Sequence, residues 1–230
     1  RRYPAPLQST IVEPFAGAAG YSCRYPDRDV ILVDASEKVC AVWEYLIGAS
    51  PAEILALPDL VRGASVDELA LPQDVRWFLG FWCNNGMSSP CLTPTEWAVD
   101  CTPRFAGWNA LSTRPAIASQ VEQIKHWRVI HGSYRDAPDI DAHWFIDPPY
   151  QGDQGARYPY GSGAIDYADL GAWSRSRRGA VTVCEAQGAD WLPFEPFGDL
   201  KSTKGKSAEA IWTRDPSRHA IQATLDIGGA

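Results

Sequence analysis

The sequence predicts an α/β fold on a mostly parallel sheet, and three observations carry that expectation. Short apolar runs, Thr10-Ile11-Val12, Val30-Ile31-Leu32-Val33 and His143-Trp144-Phe145-Ile146, have the length and composition of buried strands. Stretches with apolar residues at helical spacing lie between such runs, the alternation expected of a parallel sheet with crossover helices. Each of the three runs also ends in residues suited to ligands: Glu13-Pro14-Phe15 before a small-residue run, Asp34, and Asp147-Pro148-Pro149-Tyr150. Open α/β sheets bind ligands at the carboxyl ends of their strands.

In chain order, the strand at 10–12 leads into the tight turn Ala16-Gly17-Ala18-Ala19-Gly20, with the following helix expected to offer free N–H groups. After the second strand, Ser36 caps a helix whose apolar face is Val39, Val42, Trp43, Leu46 and Ile47, stopped at Gly48. Ser50-Pro51-Ala52-Glu53 and Ser65-Val66-Asp67-Glu68 have the Ser-x-x-Glu pattern of capping boxes. From Pro72 to Trp82 the spacing is again helical. Residues 83–113 are rich in Asn, Ser, Pro, Thr and Trp without a sustained period and read as an irregular insertion. A helix from Pro115 and strands at Arg128–His131 and His143–Ile146 follow. Beyond the Asp-Pro-Pro-Tyr turn come a Gly/Tyr-rich loop to Gly163, a helix from Tyr167 to Ser174, and a strand at Ala180–Val183. A basic loop, Lys201 to Ser207, precedes a last strand near Ala210-Ile211-Trp212.

A chain of 230 residues, 45% hydrophobic and 21% charged, suffices for one α/β domain with a smaller insertion. It has no apolar run of about 18 residues and no signal-peptide stretch after Arg1-Arg2, so the expectation is a soluble, cytoplasmic protein without a membrane partner. A net charge of −7 argues against nucleic-acid binding by the whole surface. Two local basic groups remain: Arg76, Arg104, Arg114, Lys125, Arg128 and Arg135, then Arg175, Arg177, Arg178, Lys201, Lys204 and Lys206. They suit a nucleic-acid cleft and equally suit solvated faces. Six cysteines include no CxxC pair. The spacings of Cys83, Cys91 and Cys101, with His126 or His131, do not match the usual zinc-ligand pairs, so reduced thiols and no metal are expected.

The tetrapeptide carries the sharpest chemistry. Two consecutive prolines remove two N–H donors and stiffen the turn. The Pro148 carbonyl and the Asp147 carboxylate then offer acceptors converging on one point, and Tyr150 offers a flat face. An NH₂ group on a flat ring fits that set, because accepting its two protons helps its nitrogen attack an electrophilic carbon.

The order Glu13-Pro14-Phe15-Ala16-Gly17, strand-ending Asp34, then Asp147-Pro148-Pro149-Tyr150 resembles the DNA adenine-N6 methyltransferase family, the group that includes bacterial DNA adenine methylase. The resemblance covers roughly residues 10–50 and 125–215. It implies the Rossmann-like fold of a class I S-adenosyl-L-methionine-dependent methyltransferase, with catalytic parts at 1–75 and 114–230 and an inserted target-recognition region at 76–113. It implies S-adenosyl-L-methionine as methyl donor, held by Glu13, Pro14, Phe15, Ala16 and Gly17, with Asp34 at the ribose and Asp147 also in contact. Asp147, Pro148 and Tyr150 become catalytic, and Pro149, Tyr150, Arg104 and Arg114 bind substrate. The expected partner is DNA, read in a restriction-modification or phage-modification setting, with the target adenine flipped out of the duplex and no obligate protein partner. An RNA adenine-N6 or cytosine-N4 methyltransferase, or a non-catalytic nucleic-acid-binding module, are the alternatives. Trp77, Trp82, Trp97, Trp108 and Trp127, in or beside 83–113, suit base stacking and equally a small subdomain core.

Three departures from the family pattern stand out. Ala19 occupies the place of the family's second loop glycine. The family's upstream aromatic-Gly-Gly-Lys segment has no counterpart, so either the sequence is truncated or the donor site is incomplete. Where an acid often precedes the tetrapeptide, this chain reads His131-Gly132-Ser133-Tyr134, with Asp136 just beyond.

Overall fold

The structure is a computed structural model that describes residues 3–85, 88–101, 106–152, 155, 160–202 and 205–215. It is an α/β fold on a mixed seven-stranded sheet of order β3-β2-β1-β4-β5-β7-β6. In chain order the elements are β1 (Thr10–Glu13), β2 (Asp29–Asp34), α1 (Glu37–Gly48), α2 (Pro51–Ala56), α3 (Gln73–Trp82), α4 (Glu96–Val99), α5 (Thr113–Val121), β3 (Arg128–His131), β4 (His143–Ile146), α6 (Tyr167–Ser176), β5 (Val181–Ala186), β6 (Glu195–Ser202) and β7 (Gly205–Arg214). No helix among the described residues is long and apolar enough to cross a membrane. The chain divides into two compact units, Arg1–Val33 with Ser133–Ala230, and Asp34–Gly132.

In the first unit β1 pairs in parallel with β2 on one side and β4 on the other, and β4 pairs in parallel with β5. Strands in such a position are covered on both faces and need apolar residues throughout. Ile11, Val12, Val30 to Val33 and Trp144 to Ile146 are accordingly all buried. His143 is a polar residue in this core, and burial pushes its imidazole down to about 4, so it sits there neutral. The Leu7 amide donates to its Nδ1 (3.4 Å), and its Nε2 faces the Tyr21 hydroxyl at 3.0 Å. That hydroxyl in turn donates to the Pro4 carbonyl at 2.8 Å, which makes Nε2 the protonated nitrogen. The neutral ring thereby ties the N-terminal segment down. Tyr21 also stacks on Phe145, with centroids 4.2 Å apart.

The strands at 10–13, 29–34, 128–131 and 143–146, the Ser36 cap and both Ser50–Glu53 capping-box bonds form as the sequence leads one to expect. Several elements differ. The turn after Ser65 is one 3₁₀ turn, Val66–Glu68, because Ser65 accepts from Asp67 two residues on rather than from the third residue of a box. The crossover from β1 to β2 contains no α-helix, only the 3₁₀ turn Ser22–Arg24. The last helix before β3 begins at Thr113, ahead of Pro115. The basic stretch expected as a loop lies, in its described residues, on two paired strands: Lys201 of β6 pairs with Lys206 of β7, and β7 runs antiparallel beside β5.

The second unit has its own core. Ile54, Leu79, Cys83, Ala98 and Trp108 are completely buried there. Trp82 lies parallel to Trp97 at 6.2 Å, and Phe78 meets Trp108 edge-on at 5.5 Å. Buried Asn109 accepts the Leu60 amide and donates to the Leu60 carbonyl, both at 2.8 Å, so one side chain does the work of a strand partner. The 83–113 stretch, irregular in sequence, is thus firmly packed in its described parts.

Candidate active site

β1 and β4 are parallel neighbours, with Ile11 opposite His143 and Val12 opposite Trp144. From this pair the sheet continues to β2 on one side and β5 on the other. The strand order reverses here, and a crevice at the carboxyl ends of the two strands is the usual ligand position of such a sheet. Glu13 ends β1, and Asp147 follows β4 directly.

The loop after β1 is turned by two residues in the left-handed region, Gly17 at φ +45° and Ala19 at φ +46°. Ala16 donates its N–H to Val33 O at 3.0 Å, and Ala19 donates to Ala16 O at 2.6 Å. Gly17, Ala18 and Gly20 are exposed, and nothing lies within 4 Å of where a Gly17 Cβ would stand. The expected run of free helix amides is not there: the Ser22 N–H is bound by Glu13 Oε1 at 2.7 Å, and Cys23 and Arg24 donate back into the turn. Glu13 is 2% exposed, and burial pushes its carboxyl up to about 7 against the Ser22 bond, with the Asp147 charge adding to the rise.

Asp147 keeps a solvent-exposed surface although protein crowds its carboxyl group. Burial pushes its carboxyl up to about 7, and the charges of Glu209 and Glu185 act in the same direction, opposed by a hydrogen bond from Tyr150. The single Tyr150 hydroxyl proton serves one carboxylate at a time, and it donates to Glu209 Oε1 at 3.0 Å. The Tyr3 hydroxyl donates to that same oxygen at 2.8 Å. Tyr3 is held by stacking on Phe197 at 5.2 Å.

The turn itself is braced from three directions. Tyr167 on α6 donates to the Pro149 carbonyl at 2.5 Å. Glu185, completely buried at the end of β5, accepts the Gln151 amide on both oxygens (3.2 and 3.1 Å), the Ala186 amide (2.8 Å) and Trp191 Nε1 (2.9 Å). Gly155 lies against the turn so closely that a Cβ would stand 1.9 Å from Tyr150 O. No hydrogen bond among the described residues reaches the Pro148 carbonyl. A carboxyl titrating near neutrality beside an unclaimed carbonyl, both on a rigid turn, suits a substrate that presents two protons on one atom.

Of the other expected residues, Pro14 is buried and Phe15 is half-buried, stacked on Tyr134 at 5.5 Å. Asp34 closes β2 within the second unit, where its Oδ1 accepts the Ser36 amide at 2.8 Å. Arg114 is committed inside that unit to Asp59 (2.6 Å), the Leu57 carbonyl (3.0 Å) and the Trp108 ring. Arg104 lies outside the described residues. The 76–113 stretch falls wholly within the second unit, and Trp108 and Trp127 are buried there while Trp77, Trp82 and Trp97 are partly so. In the second basic group, Arg177 lies over Trp173 at 4.4 Å and Arg178 faces Asp139 at 3.7 Å. Among the described residues no three His, Cys, Asp or Glu side chains gather to hold a metal.

Sequence reasoning missed Glu185, Glu209, Tyr3 and Tyr167. The one hint was an acid set among apolar strand residues in Val183-Cys184-Glu185-Ala186 and Ala208-Glu209-Ala210-Ile211, where burial requires a partner. No protein-family model matches this chain, and no curated protein matches it.

Proposed function

We propose that the chain transfers a methyl group from S-adenosyl-L-methionine to the N6 amino group of adenine in DNA. The observation that carries this reading is the placement of the Glu13–Gly17 loop and the Asp147–Tyr150 turn at the carboxyl ends of adjacent parallel strands, where the strand order reverses. The carboxyl groups gathered at Glu13 and Asp147 fit a cationic sulfonium donor. Glu13 to Gly17 would hold its methionine part, as the resemblance implies. When bound, the donor supplies an electrophilic methyl.

The chain's own residues account for the remainder. Ionised Asp147 accepts a hydrogen bond from one N–H of the adenine amino group and the Pro148 carbonyl one from the other, drawing the nitrogen lone pair out of conjugation. As the nitrogen forms its bond to the methyl carbon, the carbon–sulfur bond breaks and its electron pair leaves with the neutral thioether; the cationic nitrogen then sheds one proton, which Asp147 takes. Tyr150, its hydroxyl anchored to Glu209, presents its ring to the base. Reaching a base inside a duplex requires flipping it out, at a cost of a few kcal/mol.

Asp147→Ala tests the assignment. It should abolish transfer of a radiolabelled methyl to DNA while leaving donor binding, read by calorimetry, largely intact. Retained turnover would refute the role of the tetrapeptide, and absence of donor binding by the unsubstituted chain would favour a non-catalytic nucleic-acid-binding module.

A further inference from the structure

We infer that Glu209, on β7, is a positioning residue of the tetrapeptide: its buried carboxylate gathers the hydroxyls of Tyr150 and Tyr3 on one oxygen and so fixes Tyr150 beside Asp147. The inference rests on the reaction proposed above. Glu209 is 2% exposed, and its Oε1 accepts both hydroxyls, at 2.8 Å from Tyr3 and 3.0 Å from Tyr150. Its Oε2 is buried without a hydrogen-bond partner among the described residues. Leaving a buried acceptor unpaired is costly, the more so for a charged group, so a residue needed only for packing would be better apolar. The two tyrosines come from opposite parts of the chain, 206 and 59 residues from Glu209. The antiparallel β5–β7 pairing sets Glu209 opposite Ala186, next to Glu185, which clamps the other end of the same turn. Two buried carboxylates on neighbouring strands therefore grip the turn at Tyr150 and at Gln151.

The arrangement has a second effect. The charge of Glu209 adds to burial in holding the Asp147 carboxyl up near 7. The other groups coupled to Asp147 are Glu13 at the end of β1, Cys184 and Glu185 of β5, Tyr150 in the turn and Tyr3 of the N-terminal segment. Glu209 thus fixes where Tyr150 stands and, after burial, helps raise the pH at which Asp147 becomes able to accept a proton.

Two variants separate these effects. Glu209→Gln keeps an oxygen for the two hydroxyls and removes the charge, whereas Glu209→Ala removes both. In protein labelled with ¹³C at aspartate carboxyls, with Asp147 assigned through Asp147→Asn, its midpoint should fall by about half a pH unit or more in Glu209→Gln. The rising limb of the kcat pH profile should move to lower pH with it. Glu209→Ala should lose at least tenfold in kcat with little change in KM for the donor, Glu209→Gln should recover most of that loss, and adding Tyr150→Phe to Glu209→Ala should cost nothing further. An Asp147 midpoint unchanged by Glu209→Gln, or unaltered kcat in Glu209→Ala, overturns the inference. If Glu209→Ala does not fold, the Gln variant decides. Should the unsubstituted chain methylate neither DNA nor RNA, the proposed reaction fails, and the carboxyl titration still decides whether Glu209 governs Asp147.

Discussion

Glu13 shows how a buried acid at the proposed donor loop affects the whole fold. Its ordinary carboxyl value of 4.5 is raised to about 7 in the folded protein, so the folded state favours the protonated form. The sign follows from linkage: this contribution to stability is fully present below about 4.5 and is lost as pH rises to about 7. Glu13→Gln keeps an oxygen for the Ser22 amide and removes the titration. It should raise stability at pH 8 by an amount on the order of 1–3 kcal/mol and leave it unchanged near pH 4, as measured by urea unfolding at the two pH values. Ala19 makes a second case. Its φ of +46° lies in the left-handed region that glycine adopts without strain, and an L side chain there costs about 1–2 kcal/mol. Ala19→Gly should therefore be neutral or slightly stabilising, whereas a branched Ala19→Val should lose more than about 1 kcal/mol; equal melting of all three proteins would contradict the strained loop.

At the scale of elements, Arg114 links α5 to the segment after α2. It bonds the Leu57 carbonyl and Asp59 and lies 5.7 Å from the Trp108 ring centroid. Arg114→Ala should destabilise the second unit by about 1–3 kcal/mol in denaturant titrations. A loss of nucleic-acid binding without loss of stability would instead return Arg114 to the substrate role its sequence position suggested. Which elements were legible follows from the same local physics. Val30 to Val33 and His143 to Ile146 read as strands because a doubly covered strand must be apolar throughout. β6 did not, because Pro196 and Gly198 read as loop residues; the strand tolerates them at the sheet's edge and at a bulge. The tetrapeptide and the Glu13 loop were visible as local motifs. Glu185, Glu209 and Tyr3 were not, since only the β4–β5–β7 pairing and the N-terminal segment bring them to the turn. The tryptophans of 83–113 left base stacking and core packing open in sequence, and the described ones pack into a core.

At the scale of the whole molecule, the proposed chemistry depends on a parallel sheet delivering two strand ends to one place, and the described residues meet that condition at Glu13 and Asp147. The central claim concerns which atom receives the methyl group. Incubation of the purified protein with S-adenosyl-L-methionine and either genomic DNA or total RNA, followed by digestion and mass spectrometry of the nucleosides, reads it directly. The account predicts N6-methyldeoxyadenosine from DNA, dependent on Asp147. Methylation confined to RNA or to cytosine N4, or no methylated nucleoside from either polymer, would contradict it.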